Sequence, residues 1–151
     1  LKLSPNFGLA EFVSPKDPEG HRAPIETLKA LAEALESLRA ALGRPLVITS
    51  GYRSPEYNRL IGGASGSQHT AGTAADISIG DLKAQLKAVA EASKIPAIGG
   101  IGLYPSRGFI HVDIRRRIGG KPTLWEQLAD GSYIQPAPSI KQAIRRLGGN
   151  V

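Results

Sequence analysis

The chain carries three histidines, His21, His69 and His111, and no cysteine. His69 closes the glycine- and serine-rich run Gly62-Gly63-Ala64-Ser65-Gly66-Ser67, and Asp76 follows it seven residues later. Asp76 and His111 each fall on the polar side of a segment that alternates apolar and polar residues. If those two segments are neighbouring strands, two imidazoles and one carboxylate converge. That donor set suits zinc, and three protein ligands leave a fourth position for water, as catalytic zinc sites do. Taken singly, each residue has an ordinary alternative. A strand histidine is commonly a hydrogen-bonded surface or core residue, and a His-x6-Asp spacing recurs by chance. The lack of cysteine excludes a disulfide framework, a thiolate metal site and a cysteine nucleophile.

The elements that must position these residues are legible from periodicity. Residues 1–22 read as irregular, punctuated by Pro5, Pro15, Pro18 and Gly20. Pro24 opens a helix whose Leu28, Leu31, Leu35, Leu38 and Leu42 form one apolar face over about five turns, stopped by Gly43 and Pro45. Leu46 to Thr49 is a β-rich run, and Ser54 before Pro55 has the form of a cap and first residue of a short helix. From Thr73 the period becomes two, with Ala75, Ile77 and Ile79 on one side and Asp76 and Ser78 on the other. Asp81 to Ile95 is expected to be a second amphipathic helix, with Leu82, Leu86 and Val89 toward the core. Phe109 to Ile114 is again a strand, placing His111 and Asp113 together opposite Ile110, Val112 and Ile114. These elements predict a compact α+β fold, a small antiparallel sheet flanked by helices.

Past Gly119-Gly120 the character changes. Thr123-Leu124-Trp125-Glu126 has capping-box spacing, a Pro136/Pro138 linker follows, and a last basic helix ends at Gly148-Gly149. The expected division is a site-bearing domain over 1–118 and a C-terminal extension over 119–151, a linker or an appendage docked through Trp125.

The length of 151 residues, with 41% hydrophobic and 21% charged residues, fits one globular domain and excludes a disordered chain. No run approaches the ~18–20 apolar residues that span a bilayer. The sequence opens at Leu1 with no charged-then-apolar leader before Phe7, so a processed or trimmed product is expected, its targeting signal not present. A net charge of +6 calls for an anionic partner or surroundings. Nucleic acid is disfavoured. Basic residues are dense only at Arg115-Arg116-Arg117 and Arg145-Arg146, and aromatics at 5% supply a poor stacking platform. Bacterial cell wall is also polyanionic and suits the same charge.

Three segments occur in order: Ser50-Gly51-Tyr52-Arg53-Ser54; Ser67-Gln68-His69 through Asp76-Ile77; and Gly102-Leu103-Tyr104-Pro105 with Phe109-Ile110-His111-Val112-Asp113-Ile114-Arg115. From about Phe7 to Arg115 the series resembles the M15 family of zinc peptidases, the D-alanyl-D-alanine carboxypeptidase-like enzymes, in the branch with a short FxHxD ending. The resemblance implies a hedgehog/DD-peptidase-like fold and cleavage of peptide bonds in peptidoglycan stem or cross-link peptides. It implies one zinc per chain on His69, Asp76 and His111, with Arg53 polarising the substrate carbonyl or holding a carboxylate. Ser67 and Tyr104 are candidate substrate contacts. The plainer roles are a turn-bracing ion pair for Arg53, a loop-capping hydroxyl for Ser67 and a packing turn for Tyr104. His21 has no partner in the motif and is expected to be an exposed loop residue. The expected setting is a bacterial periplasm, the extracellular space or a phage particle, with the chain working as a monomer on peptidoglycan peptides.

One departure matters. Many family members place an acidic general base three residues before the last histidine ligand, where this chain has Gly108, and Phe109 replaces the first histidine of the common His-x-His ending. Asp113 is the nearest candidate base. Two residues along the strand from His111, about 6.5–7 Å away, it fits a base acting on metal-bound water or a carboxylate orienting the imidazole. Glu56 and Asp81 are more distant alternatives. Gly108 also keeps open a rival of another class, a catalytically inert wall-binding or phage-tail structural module of the same fold.

Overall fold

The computed structural model describes residues 1–151. A short hairpin of β1 (Lys2–Ser4) and β2 (Phe7–Gly8) leads through irregular chain to α1 (Ile25–Leu42). There follow β3 (Val47–Ser50), α2 (Pro55–Leu60), β4 (Ala74–Ser78), α3 (Leu82–Ser93), β5 (Gly100–Tyr104) and β6 (Phe109–Asp113). The chain ends with β7 (Thr123–Gln127), β8 (Tyr133–Ile134) and α4 (Pro138–Arg146). No helix is long and apolar enough to cross a membrane.

The architecture is α+β, with helices flanking a mixed sheet. Its strand order is β3-β4-β6-β5-β7-β8, and the β5–β7 pair is parallel while the others are antiparallel. The expected small antiparallel sheet is therefore corrected to a six-stranded mixed one. The difference arises within 119–151. The Thr123–Glu126 stretch, with its capping-box spacing, forms a strand, because the free edge of β5 offers its backbone a ladder and the Thr123 N–H donates to Gly99 O at 2.8 Å. Thr123 and Trp125 also favour the pleated surface. Leu124 enters the core, as do Ile140 and Ile144 of α4.

One face of the sheet is apolar. Ile77, Ile101, Leu103, Ile110 and Val112 are fully buried, together with Leu28, Leu31, Leu35 and Leu38 of α1. The leucine periodicity is thus the packing face of α1, and Gly43 ends that helix in the left-handed conformation at φ 66°. In α3 the inward residues are Gln85, Ala88, Val89 and Ala92, whereas Leu82 is 48% exposed. Small side chains let α3 pack closely, and that sets its rotation, leaving Leu82 at the rim of the first turn.

The opposite face carries the polar residues in register. Ser50 of β3 pairs with Asp76 of β4, Asp76 with His111 of β6, His111 with Gly102 of β5, and Gly102 with Trp125 of β7. This single row crosses five strands. Beside it the N-terminal segment straps the chain leaving β3: the Tyr52 N–H donates to Phe12 O at 2.7 Å, and a Cβ on Gly51 would lie 2.6 Å from that same oxygen. Asp17 fastens the strap. Its carboxylate accepts from the Ser54 N–H at 2.8 Å, the Ser54 hydroxyl at 2.7 Å and the Glu19 N–H at 3.0 Å, while Ser54 caps α2.

Burial pushes the Asp17 carboxyl up, but these hydrogen bonds outweigh it and hold the pKa below its ordinary 3.8. A depressed folded pKa stabilises the fold fully above the unfolded value and loses that contribution as pH falls through the folded one. Asp17→Ala is expected to cost about 1–3 kcal/mol at neutral pH by orphaning the buried Ser54 donors. Urea denaturation should show the variant's deficit shrinking as pH drops below about 4, and a deficit constant with pH would assign Asp17 a purely steric role.

Candidate metal centre

His69 lies on a single 3-10 turn, Gln68–Ala71, whose N-terminus is capped by the Ser67 hydroxyl accepting from the His69 N–H at 3.2 Å. Gly72 closes the turn in the left-handed conformation, and a Cβ there would strike Pro24 at 2.6 Å. The flexible run before His69 therefore delivers it at a fixed point. Its Nδ1 faces Gly51 O at 2.7 Å, and since a carbonyl only accepts, Nδ1 carries the proton and the Nε2 lone pair is free. That Nε2 is 3.3 Å from Asp76 Oδ1.

His111 is held the opposite way round. Its Nε2 is 2.7 Å from Asp113 Oδ2, so Nε2–H donates to that carboxylate and Nδ1 points to Asp76 Oδ1 at 3.1 Å. All three residues are buried, and one donor atom from each lies within 4.8 Å of the others. Two imidazole lone pairs and a carboxylate oxygen are all acceptors, so a metal cation, or in its place a proton on one ring, reconciles them at this spacing. This is the chemistry of a metal ligand set, and two nitrogens with one carboxylate oxygen fit a divalent ion that keeps an open position. In the bare protein, burial disfavours charge on His111, but Asp113 and Asp76 outweigh it and raise its pKa. The Asp76 carboxyl is pushed up by burial and pulled further down by His111 and His69, ending far below the usual carboxylate range.

Asp113 stands behind His111. It is fully buried, and Arg115 grips it with Nε on Oδ1 at 2.8 Å and Nη2 on Oδ2 at 2.7 Å. Burial raises its pKa, yet the hydrogen bonds from His111 and Arg115 bring it down to about 2. The His-carboxylate geometry is that of an orienting group which fixes tautomer and ring plane. Gly100 makes room for it, since a Cβ there would lie 2.4 Å from both Asp113 oxygens.

Arg53 approaches from the other side. Its Nε donates to Ser50 Oγ at 3.1 Å, its Nη1 to Asn58 Oδ1 at 3.0 Å, and its Nη2 is 3.8 Å from Asp76 Oδ2. Asn58 is buried, and its amide also donates to Ala64 O at 3.0 Å, tying the glycine loop to the arginine. Ser67, Tyr104, Arg53 and the three clustered residues all line one cleft of about 1390 Å³. Burial drives the Tyr104 hydroxyl up to about 12, the neighbouring Tyr133 adding to the shift, and the hydroxyl accepts from Trp125 Nε1–H at 3.2 Å. His21 lies apart, with its side chain 69% exposed and Glu19 3.6 Å away.

Gly108 has φ 73°, and its carbonyl accepts from the Ile79 and Gly80 N–H groups, so the position is spent on chain reversal. The carboxylates lining the cleft are Glu11 and Asp76, and neither Glu56 nor Asp81 reaches it. Asp81 instead caps α3 through the Ala84 N–H at 2.8 Å.

A family model described as peptidase M15 matches residues 6–113. The chain belongs to the peptidase M15 family. Among curated relatives of this M15 peptidase, the peptidoglycan L,D-endopeptidase MepK of Escherichia coli strain K12 is 36% identical over 90 residues, 55% of this chain and 48% of the relative. The protein of the same description from Shigella flexneri gives the same figures. The chain thus spans about half the length of the curated relatives it matches.

The M15 match ends at Asp113, and the residues next to it were not marked as site residues by spacing. Trp125 tilts against His111 with ring centroids 5.0 Å apart, and the Arg115 guanidinium lies 5.1 Å from the indole centroid. A Cβ on Gly102 would sit 2.5 Å from the indole nitrogen. The alternate glycines Gly100 and Gly102 were the available signal, since a strand lacking side chains on one face admits a close neighbour there.

Asp113→Asn removes the charge that holds the His111 tautomer while keeping nearly the same volume. Divalent-metal affinity, measured by competition with a chromophoric chelator, is expected to fall about 10–100-fold, with the fold intact by circular dichroism. Unchanged affinity would show that the strand alone orients His111.

Proposed function

We propose that the chain is a zinc-dependent peptidase that hydrolyses peptide bonds in bacterial peptidoglycan stem or cross-link peptides, and that its architecture is of the hedgehog/DD-peptidase-like kind. The convergence of His69 Nε2, Asp76 Oδ1 and His111 Nδ1 in an open cleft is the observation that carries this reading. M15 membership and the printed activity of the curated relatives support the reaction and the substrate class. Its workplace would be wherever peptidoglycan is reachable: a bacterial periplasm, outside the cell, or at the wall when carried by a phage.

Zinc in this set supplies Lewis acidity, which polarises a carbonyl and acidifies water toward neutral pH. The chain's residues do the rest. The Gly51 carbonyl and Asp113 keep both imidazole lone pairs turned to one point. Arg53, braced by Ser50 and Asn58, presents guanidinium donors to the carbonyl oxygen as it gains charge, and the Tyr104 hydroxyl, which lines the same cleft, supplies a neutral donor. The Ser67 oxygen caps the His69 turn, leaving its proton for a substrate carbonyl. Asp113 acts through His111 as a positioning residue. Trp125 covers the His111 ring beside the cleft.

The test is incubation of the zinc-loaded protein with purified muropeptides, followed by mass spectrometry, with metal content by elemental analysis. One zinc per chain and new peptide termini are expected. Arg53→Lys keeps the charge but loses the planar fork, so kcat/KM should fall about 10²–10³-fold with zinc content unchanged. Zinc uptake and wall binding without any product would favour a structural wall-binding module.

A further inference from the structure

Three arginines line the cleft, Arg53, Arg107 and Arg115, against two carboxylates, Glu11 and Asp76. Two of the three are committed. Arg53 is held by Ser50 and Asn58, and Arg115 grips Asp113 with two parallel hydrogen bonds. Arg107 donates to no carboxylate and no carbonyl of the chain. It stands on the turn Pro105–Arg107 between β5 and β6, exposed, with its guanidinium carbon 5.1 Å from the centre of the Phe109 ring. Phe109 in turn stacks on Tyr104, with centroids 4.3 Å apart and planes 20° apart.

This shelf orients the cation without consuming it. A guanidinium lying on an aromatic face engages the ring through its own π face, so the N–H donors at its edge stay free. Those edge donors form the fork that pairs with a carboxylate through two hydrogen bonds. Phe109 shares the site-facing side of β6 with His111 and stands one strand step from it, about 6.5–7 Å. An extended peptide advances about 3.3–3.6 Å per residue, so the shelf meets a substrate group about two residues from the bond held at the metal centre.

We infer that Arg107, seated on Phe109, which Tyr104 backs by stacking, is a specificity-determining residue that binds a free carboxylate of the substrate about two residues from the scissile bond. The inference rests on the proposed peptidase reading and names the substrate feature that the cleft selects. A carboxamide at the same place gives up the charge-assisted pair and presents its own N–H groups to the guanidinium.

The test uses two synthetic stem peptides identical except for a free carboxylate or a carboxamide two residues from the scissile bond. They are compared on wild type, Arg107→Gln and Arg107→Lys, by kcat/KM on the zinc-loaded protein and by calorimetric binding on metal-free protein. Wild type should favour the carboxylate peptide about 10–100-fold, Arg107→Gln should lose that preference mainly through the carboxylate peptide, and Arg107→Lys should fall between. Discrimination in binding without cleavage supports the carboxylate site while overturning the peptidase reading. Cleavage of both peptides with equal losses in Arg107→Gln, or none, overturns the carboxylate site and leaves the peptidase reading standing. Absence of both binding and cleavage overturns the two together.

Discussion

The register of β6 between β4 and β5 is the constraint on which the site depends. Asp76 faces His111 across one ladder, and His111 faces Gly102 across the next. A slip of one residue would turn His111 into the apolar layer and bring Ile110 or Val112 to the cleft, because side chains alternate strictly along a strand. The hydrophobic face forbids this slip. Ile77 pairs with Ile110 and Ile110 with Leu103, all fully buried beneath the helices. The metal-facing geometry is thus enforced by apolar residues that never touch it, and burial stabilises the register that chemistry needs.

Register brings the side chains together but does not set where their lone pairs point. An imidazole can present either nitrogen, and each ring here is fixed by an acceptor on its far side: a backbone carbonyl for His69 and a carboxylate for His111. The carbonyl belongs to Gly51, in the segment pressed against Phe12 by the N-terminal strap. The carboxylate belongs to Asp113, clamped by Arg115, which lies against Trp125. The N-terminal strap and β7 therefore support the same centre from opposite sides, one through a tautomer and the other through an ion pair.

The helices and the ligand strands were legible because their signals do not compete. Five leucines at steps of three and four specify α1, and strict alternation specifies β4 and β6. Residue type and strand placement suggest His69, Asp76 and His111, and the family resemblance implies them as a ligand set. What escaped was set by tertiary partners. Thr123–Glu126 satisfies a capping-box spacing and a strand composition equally, and the open edge of β5 decides between them. β5 itself has glycine at alternate positions, which hides its period from any apolar count. Leu82 reads as a core residue by helical spacing, but the alanines of α3 set a different rotation. Arg115 reads as one of three basic residues, and only the position of Asp113 shows that its charge is spent inward.

Gly108 shows how local backbone demand and chemistry can conflict at one position. The turn between β5 and β6 needs a residue at φ 73° whose carbonyl takes the N–H groups of Ile79 and Gly80, locking the exit of β4 to the start of β6. A carboxylate side chain there would have space, since a Cβ meets only Gly80 O at 3.6 Å, but it would carry left-handed strain. With that position given to the turn and Asp113 sealed behind His111 by Arg115, the cleft keeps Glu11 and Asp76 as its carboxylates and Arg107 as the cation that no carboxylate of the chain holds. A carboxylate to pair with Arg107 then has to come from the ligand. In the proposed reading, Arg53 beside the metal centre stabilises the oxyanion and Arg107 on its aromatic shelf selects the carboxylate of the substrate, so the reaction and the choice of substrate draw on two separate cations of one cleft.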